Sequence, residues 1–266
     1  MNGENVFWDP MSMSGKSASI LAIGDSWFWY PFPGGSLLQQ LGPLVESRSH
    51  VVFALGYNGA EAVDFVQGKY KKQVGWALRT YGPDLSAVWI SGGGNDFAGL
   101  NDLRPLLRGD CSDATTAAAC FIEGPSWPSL DWLMSVIRES YAMLIGRVFT
   151  ACNEHVKVLV HTYDYAIPTG KSVFGGRSWL KESLDVAKVP EALRADCVRI
   201  VIDRFAAMQL SLVAGSLGRI VQVDSRGVLA ADDWANELHP KPKGFRKIAQ
   251  QAWRPELEKC GLAAPR

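Results

Sequence analysis

The feature of the sequence that most restricts the fold is a regular alternation of short apolar runs with longer helical stretches. Five runs have the length and composition of β-strands: residues 17–24, 50–56, 85–94, 156–163 and 219–225. Several are apolar almost throughout, as expected when helices cover both faces of a parallel sheet. The alternation therefore predicts right-handed strand–helix–strand units in one doubly wound α/β domain with five parallel strands.

The segments between these runs are predicted to be helical, apart from two long irregular stretches. Helices are predicted at residues 34–47, 60–81, 130–152, 190–216 and 242–260. The irregular stretches cover about 97–129 and 164–189, and loops of that length are usually functional or mobile. The second one carries Phe174 and Trp179 beside charges and a Gly-Gly pair, so we expect a mobile cover over a site. The whole chain, 1–266, is predicted to be a single domain.

Composition excludes some classes of partner. With 47% hydrophobic residues and a formal net charge of zero over 266 residues, the chain can fill a core but lacks a basic nucleic-acid surface. No segment indicates a bilayer span or a signal peptide, so a cytoplasmic location is the default expectation and export stays open. The five cysteines lack CxxC spacing, which argues against a zinc site; Cys111 and Cys120 form either a local disulfide or two reduced thiols.

Four motifs fall at one edge of the predicted sheet. They are Gly-Asp-Ser at 24–26, "GYNGAE" at 56–61, "GGGNDF" at 92–97 and "NELHPKPKGF" at 236–245. The first three directly follow predicted strands, and the last follows the fifth strand and its loop. Ligands bind beyond the carboxyl ends of the strands in such a sheet, so this coincidence indicates a functional site.

These motifs supply the parts that nucleophilic catalysis by serine requires. Ser26 provides the hydroxyl, and a serine nucleophile needs a base and donors for the oxyanion. The backbone N–H groups of Ser26 and Gly59 and the side-chain amide of Asn95 are the candidate donors. His239 is the candidate base, and His161, near the end of the fourth predicted strand, is a weaker candidate that can also line the pocket.

The order Gly-Asp-Ser, Gly, Gly-x-Asn-Asp and His-Pro resembles the SGNH (GDSL-like) hydrolase family across essentially the whole chain. The resemblance implies a flavodoxin-like three-layer α/β/α sandwich and a serine esterase or lipase mechanism without metal or other cofactor. It also implies that Ser26 is the nucleophile, that Ser26, Gly59 and Asn95 form the oxyanion hole, and that His239 is the base. The implied partner is a small-molecule or lipid-like ester.

The sequence departs from this family at two positions. Trp27 stands where the family has Leu after Gly-Asp-Ser, and Asn236 stands where it has Asp before the catalytic histidine. An Asn oxygen can still accept the Nδ1–H bond and hold the tautomer, although it lacks the charge that stabilises an imidazolium. We expect Asn236 to orient His239; Glu237, Asp232, Asp233 or a backbone carbonyl are the alternatives.

Aromatic residues are concentrated around the serine. Five of them, near the predicted strand ends, are candidates for the substrate pocket: Trp27, Trp29, Tyr57, Phe97 and Trp234. Phe32 belongs to the same aromatic run. The favoured function is hydrolysis of a carboxylic ester with a moderately apolar component. Acyl transfer or thioester cleavage at the same site, and a binding module with a weakened catalytic group, remain alternatives.

Overall fold

The strands pair into one parallel sheet in this computed structural model, which describes residues 5–30, 35–172 and 178–265. They are β1 (Val6–Phe7), β2 (Ile20–Gly24), β3 (Val52–Gly56), β4 (Ala87–Ser91), β5 (Lys157–His161) and β6 (Ile220–Val223). Their order across the sheet is β1-β3-β2-β4-β5-β6. All five predicted strands are present, but the expected count was wrong because the sheet has six strands.

The additional strand, β1, is a two-residue segment at the edge of the sheet. Val6 pairs with Val52, and Phe7 pairs with Phe53. Two residues are too few to form a recognisable apolar run, so the extended conformation of β1 depends on its pairing with β3. Without β1 the strand order is that of a flavodoxin-like sheet, in agreement with the expected fold class.

Helices flank the sheet in two groups. The α-helices of the described residues are α1 (Leu38–Glu46), α2 (Lys71–Tyr81), α3 (Leu130–Ala151), α4 (Lys181–Val186), α5 (Glu191–Val213), α6 (Pro242–Ile248) and α7 (Arg254–Lys259). Helices α2, α3 and α5 form one packed group, whereas α1 packs against α7. The result is the predicted α/β/α sandwich. No helix among the described residues has both the length and the apolar composition that crossing a membrane requires.

The predicted helix over 60–81 is in fact two helices. A 3-10 helix, Ala62–Phe65, precedes α2. The side chain of Asp64, in this short helix, bonds the backbone on both sides of it. Its carboxylate accepts the N–H groups of Glu61, at 3.2 Å, and Lys69, at 3.3 Å. A Cβ on Gly68 would come within 2.5 Å of the same carboxylate, so only glycine fits this turn.

The two irregular stretches have more local structure than expected. The first contains 3-10 helices at Arg104–Leu106 and Ala118–Cys120, and the second contains α4. Cys111 and Cys120 are buried in the first stretch as free thiols. Phe174, part of the predicted cover, and Phe32 lie outside the described residues.

Candidate active site

The candidate site lies where the order of the strands reverses. Strand β2 has β3 on one side and β4 on the other, so the loops after β2 and β4 diverge and leave a crevice between them. Ser26 follows β2, and Asn95 follows β4. His239 reaches the same edge from the loop that precedes α6. The fold therefore brings together three residues that the sequence predicted to act together.

Ser26, His239 and Asn236 form a continuous chain of contacts. Nε2 of His239 lies 2.8 Å from Oγ of Ser26, and Nδ1 lies 3.1 Å from Oδ1 of Asn236. All three residues are buried, His239 with 5% of its surface exposed. Burial disfavours the imidazolium and lowers the pKa of His239 to about 4. The imidazole is therefore neutral at pH 7, as a general base must be.

The side-chain oxygen of Asn236 determines which nitrogen of His239 carries the proton. Oδ1 accepts the backbone N–H groups of Leu238 and His239, both at 2.9 Å, which fixes the orientation of the amide. An amide oxygen accepts hydrogen bonds and cannot donate them. Nδ1 of His239, which contacts the same oxygen, therefore carries the hydrogen. Nε2 is then left with its lone pair facing the hydroxyl of Ser26.

The three carboxylates that were alternatives to Asn236 have other partners. Asp233 is buried and bonds Nζ of Lys247 at 2.6 Å, while Asp232 pairs with Lys243. Glu237 is fully buried and accepts four backbone N–H groups at 2.8–3.1 Å, those of Gly170, Trp179, Leu180 and Lys181. These contacts direct each carboxylate away from the imidazole, which leaves Asn236 as the residue bonded to Nδ1.

The contacts of Glu237 also attach the predicted cover to the loop of His239. The backbone N–H of Glu237 donates to the carbonyl of Lys171 at 3.2 Å, in addition to the four bonds to its carboxylate. The ring of Trp179 stands nearly perpendicular to the imidazole of His239, with the centroids 6.1 Å apart. The described parts of 164–189 therefore form one wall of the site.

Gly59 and Asn95, the predicted oxyanion donors, belong to loops that are bonded to each other. Nδ2 of Asn95 donates to the carbonyl of Ala60 at 2.9 Å, and Oδ2 of Asp96 accepts the N–H of Ala62 at 2.9 Å. Gly59 has a φ of +72° with open space beside its α-carbon, so a ligand can approach its backbone closely. The amide of Asn95 retains a second N–H for a ligand.

His161, the weaker candidate for the base, has no contact with Ser26 among those that the structure shows. It is fully buried between two serines: Nδ1 lies 3.1 Å from Oγ of Ser91, and Nε2 lies 2.9 Å from Oγ of Ser225. Burial lowers its pKa to about 3. Both ring nitrogens are occupied within the core, so His161 connects the ends of the strands and does not line the cleft.

Three of the five predicted pocket aromatics line an apolar cleft beside Ser26, and two do not. Trp27, Phe97 and Trp234 line the cleft. Tyr57 stacks on Tyr70 with the ring centroids 3.7 Å apart, and the Cβ of Trp29 occupies the space beside Gly56. In contrast to the expectation, Tyr57 and Trp29 are not among the residues that line the cleft beside Ser26.

The far wall of the cleft comes from residues that the sequence analysis did not select. Helix α5 contributes Val198, Val201 and Ile202, and the two long loops contribute Leu103 and Leu180. The cleft is narrow and partly open to solvent. The three α5 residues have the i, i+3, i+4 spacing of one helix face, but only tertiary packing shows that this face borders the cleft as well as the core.

A buried network that was also missed holds the loops around Ser26. The hydroxyl of Tyr163 donates to Asp25 at 2.6 Å and accepts the N–H of Gly94 at 3.1 Å. Asp25 in turn accepts the N–H of Trp27 at 3.0 Å. Burial raises the pKa of Asp25 to about 6. The network ties together the loops after β2, β4 and β5 around the nucleophile turn.

No cluster of three or more His, Cys, Asp or Glu side chains in the described ranges is arranged to hold a metal ion.

Comparison with known proteins identifies relatives by structure and not by sequence. The sequence matches no protein-family model, and no curated protein matches it. Among solved structures, a lipase from a goat rumen metagenome is 12% identical with a TM-score of 0.53, over 93% of this chain and 99% of that one. Phospholipase A1 from Streptomyces albidoflavus is 14% identical with a TM-score of 0.53, over 92% and 99% of the two chains.

A third similar structure comes from Slackia heliotrinireducens and is described there as a proposed SGNH hydrolase. It is 12% identical with a TM-score of 0.52, over 88% of this chain and 96% of that one. Structural similarity at such low sequence identity is evidence for the fold alone. The fold is the one that the four motifs led us to expect. The chain therefore has the α/β/α sandwich fold that is shared by these lipases and SGNH-type hydrolases.

Proposed function

We propose that the protein is a carboxylic ester hydrolase of the SGNH family that uses Ser26 as its nucleophile. The observation that carries the proposal is the chain of contacts from Oγ of Ser26 through His239 to Asn236, next to an apolar cleft. A serine with a purely structural role in a turn or in the core does not need a buried, neutral imidazole whose free lone pair faces its hydroxyl. The lipase and phospholipase names of the structural neighbours support the same reaction class.

In the proposed reaction, Oγ of Ser26 attacks the ester carbonyl while its proton passes to Nε2 of His239. The carbonyl oxygen becomes an oxyanion, which the N–H groups of Ser26, Gly59 and Asn95 stabilise. When the intermediate collapses, the proton on Nε2 goes to the leaving alcohol. Water then repeats the sequence on the acyl-enzyme and releases the acid and the free serine.

The cleft predicts that the acyl group of the ester is apolar. Its lining is dominated by aliphatic and aromatic side chains, and it extends from Ser26 to the surface of α5. An acyl chain that enters the cleft is removed from water. This stabilises the bound ester by about 0.8 kcal/mol for each buried methylene. Hydrolysis of p-nitrophenyl esters of increasing acyl length tests the function, and a phosphonate adduct on Ser26 tests the nucleophile. Absence of both turnover and adduct would contradict the proposal.

Filling the cleft should change the preferred acyl length. Ile202→Trp places a larger side chain in the cleft, so the rate with a long acyl ester should fall by about 10-fold or more relative to a short one. The matched control is Leu210→Trp, at an exposed position of the same helix. Equal losses with long and short esters would mean that the acyl group binds elsewhere.

Removing the amide of Asn95 should lower turnover more than binding. Asn95→Ala deletes an oxyanion donor and the bond to Ala60, so kcat should fall by roughly 10²–10³-fold with KM changed much less. Asn101→Ala, at an exposed position of the loop that follows, is the matched control. A variant altered only in KM would make Asn95 a substrate-binding residue.

A further inference from the structure

The proposed reaction creates a positive charge on His239 at a place where no described carboxylate contacts the imidazole. Its Nδ1 partner, Asn236, is neutral. The nearby carboxylates of Asp25, Asp233 and Glu237 are bonded to Tyr163, Lys247 and backbone N–H groups, respectively. Since burial already disfavours the imidazolium, the protonated intermediate needs stabilisation from another source.

The ring of Tyr30 lies over the imidazole of His239. The two ring centroids are 4.2 Å apart, and the planes are inclined by only 22°. The hydroxyl of Tyr30 also lies 3.4 Å from Nδ2 of Asn236, so the same residue contacts both members of the pair. Burial raises the pKa of Tyr30 above its usual value of 10, and the phenol is therefore neutral at the pH of catalysis.

We propose that Tyr30 is a positioning residue whose π face stabilises the imidazolium of His239 when Ser26 gives up its proton. The inference rests on the proposed function, because only proton transfer from Ser26 makes the charge. The face of an aromatic ring carries partial negative charge and attracts a cation within about 6 Å of its centroid. The interaction is stronger at a desolvated cation, and His239 is buried.

This arrangement accounts for the use of an asparagine beside the base. Asn236 fixes the tautomer and the orientation of the imidazole, and Tyr30 supplies electrostatic stabilisation perpendicular to its plane. The ring of Trp179 is perpendicular to the imidazole, with the centroids 6.1 Å apart, and so does not make the stacked contact that Tyr30 makes. Orientation and charge stabilisation, which one carboxylate provides in an Asp-His pair, are here divided between Asn236 and Tyr30.

Fluorination tests the proposal because it weakens the negative face of a ring with little change in its shape. The series starts from Tyr30→Phe, which keeps the stack without the hydroxyl, and continues with mono-, tri- and pentafluorophenylalanine at the same position. We expect kcat/KM to fall progressively, by roughly 3- to 30-fold between the first and last members. The pKa of the His239 imidazole, followed by NMR in the same variants, should fall in the same order.

The control is the same series at Phe149, whose ring also lies over a cation, Arg219, at 3.8 Å. No change is expected there, because Arg219 takes no part in the proposed reaction. A constant imidazole pKa and constant kcat/KM across the Tyr30 series would overturn the proposal. If the unmodified protein hydrolyses no ester, the proposed function fails, while the NMR titration still decides whether Tyr30 stabilises the imidazolium.

Discussion

Ser26→Ala is expected to abolish ester hydrolysis, with kcat reduced by roughly 10⁴–10⁶-fold. The variant removes the hydroxyl that is proposed to form the acyl-enzyme, while the proposed oxyanion donors and the cleft remain. His239→Ala should be nearly as inactive, because it removes Nε2. This nitrogen lies 2.8 Å from Oγ of Ser26 and is the proposed acceptor of its proton. The double variant should lose little more, since nucleophile and base act as one unit.

The measurement is steady-state hydrolysis of a p-nitrophenyl ester, with circular dichroism to verify that each variant is folded. His155→Ala is the matched histidine control, because His155 is exposed just before β5, at the opposite edge of the sheet. Near-normal activity in Ser26→Ala would show that Ser26 is not the nucleophile, and full additivity in the double variant would show that Ser26 and His239 do not act as one unit.

The main architecture was predictable because the central strands are buried on both faces. Each of the five residues of β2 is buried, as is each of β4, so these strands appear in the sequence as apolar runs, with Ser91 at the end of β4 the one polar residue. The place of the candidate site in the fold was predictable for a related reason. Strand ends are recognisable in the sequence, and Ser26 and Asn95 directly follow two of them.

Features that depend on contacts between distant segments were not predictable. Strand β1 is extended only because it pairs with β3, and the cleft-facing side of α5 is set by the loops that pack near it. Trp29 and Tyr57 are as close in sequence to the strand ends as Trp27. Neither lines the cleft, and the ring of Tyr57 stacks on Tyr70, which nothing in their sequence spacing indicates.

The partner of His239 was expected to be Asn236, but the contacts that hold the neighbouring carboxylate elsewhere were not predictable. Asn236 and Glu237 are adjacent, and residue type alone favours the carboxylate as the partner of a catalytic base. Four backbone N–H groups from residues 170–181 bind Glu237 instead, and a carboxylate satisfied in this way has no reason to face the imidazole. Whether Asn236 or Glu237 contacts His239 therefore depends on a segment about sixty residues earlier in the chain.

Asn236→Leu is expected to lower kcat on the order of 10²–10⁴-fold. The substitution removes the oxygen that accepts Nδ1–H of His239 and the backbone N–H groups of Leu238 and His239. The imidazole then has no acceptor to hold the tautomer that leaves Nε2 free for Ser26. The loop also loses two backbone hydrogen bonds, so the thermal midpoint is measured together with kcat to separate inactivation from unfolding.

Asn236→Asp is the matched variant, because it keeps the accepting oxygen and adds a charge. A carboxylate next to Nδ1 stabilises the imidazolium, so it should raise the pKa of His239 from about 4. The imidazole must be neutral to accept a proton. The acidic limb of the plot of kcat/KM against pH should therefore move to higher pH. Activity should fall relative to the unmodified protein near pH 5 and be retained or increased near pH 8. An unshifted acid limb, or a harmless Asn236→Leu beside an inactive Glu237→Gln, would assign the orienting role to another residue.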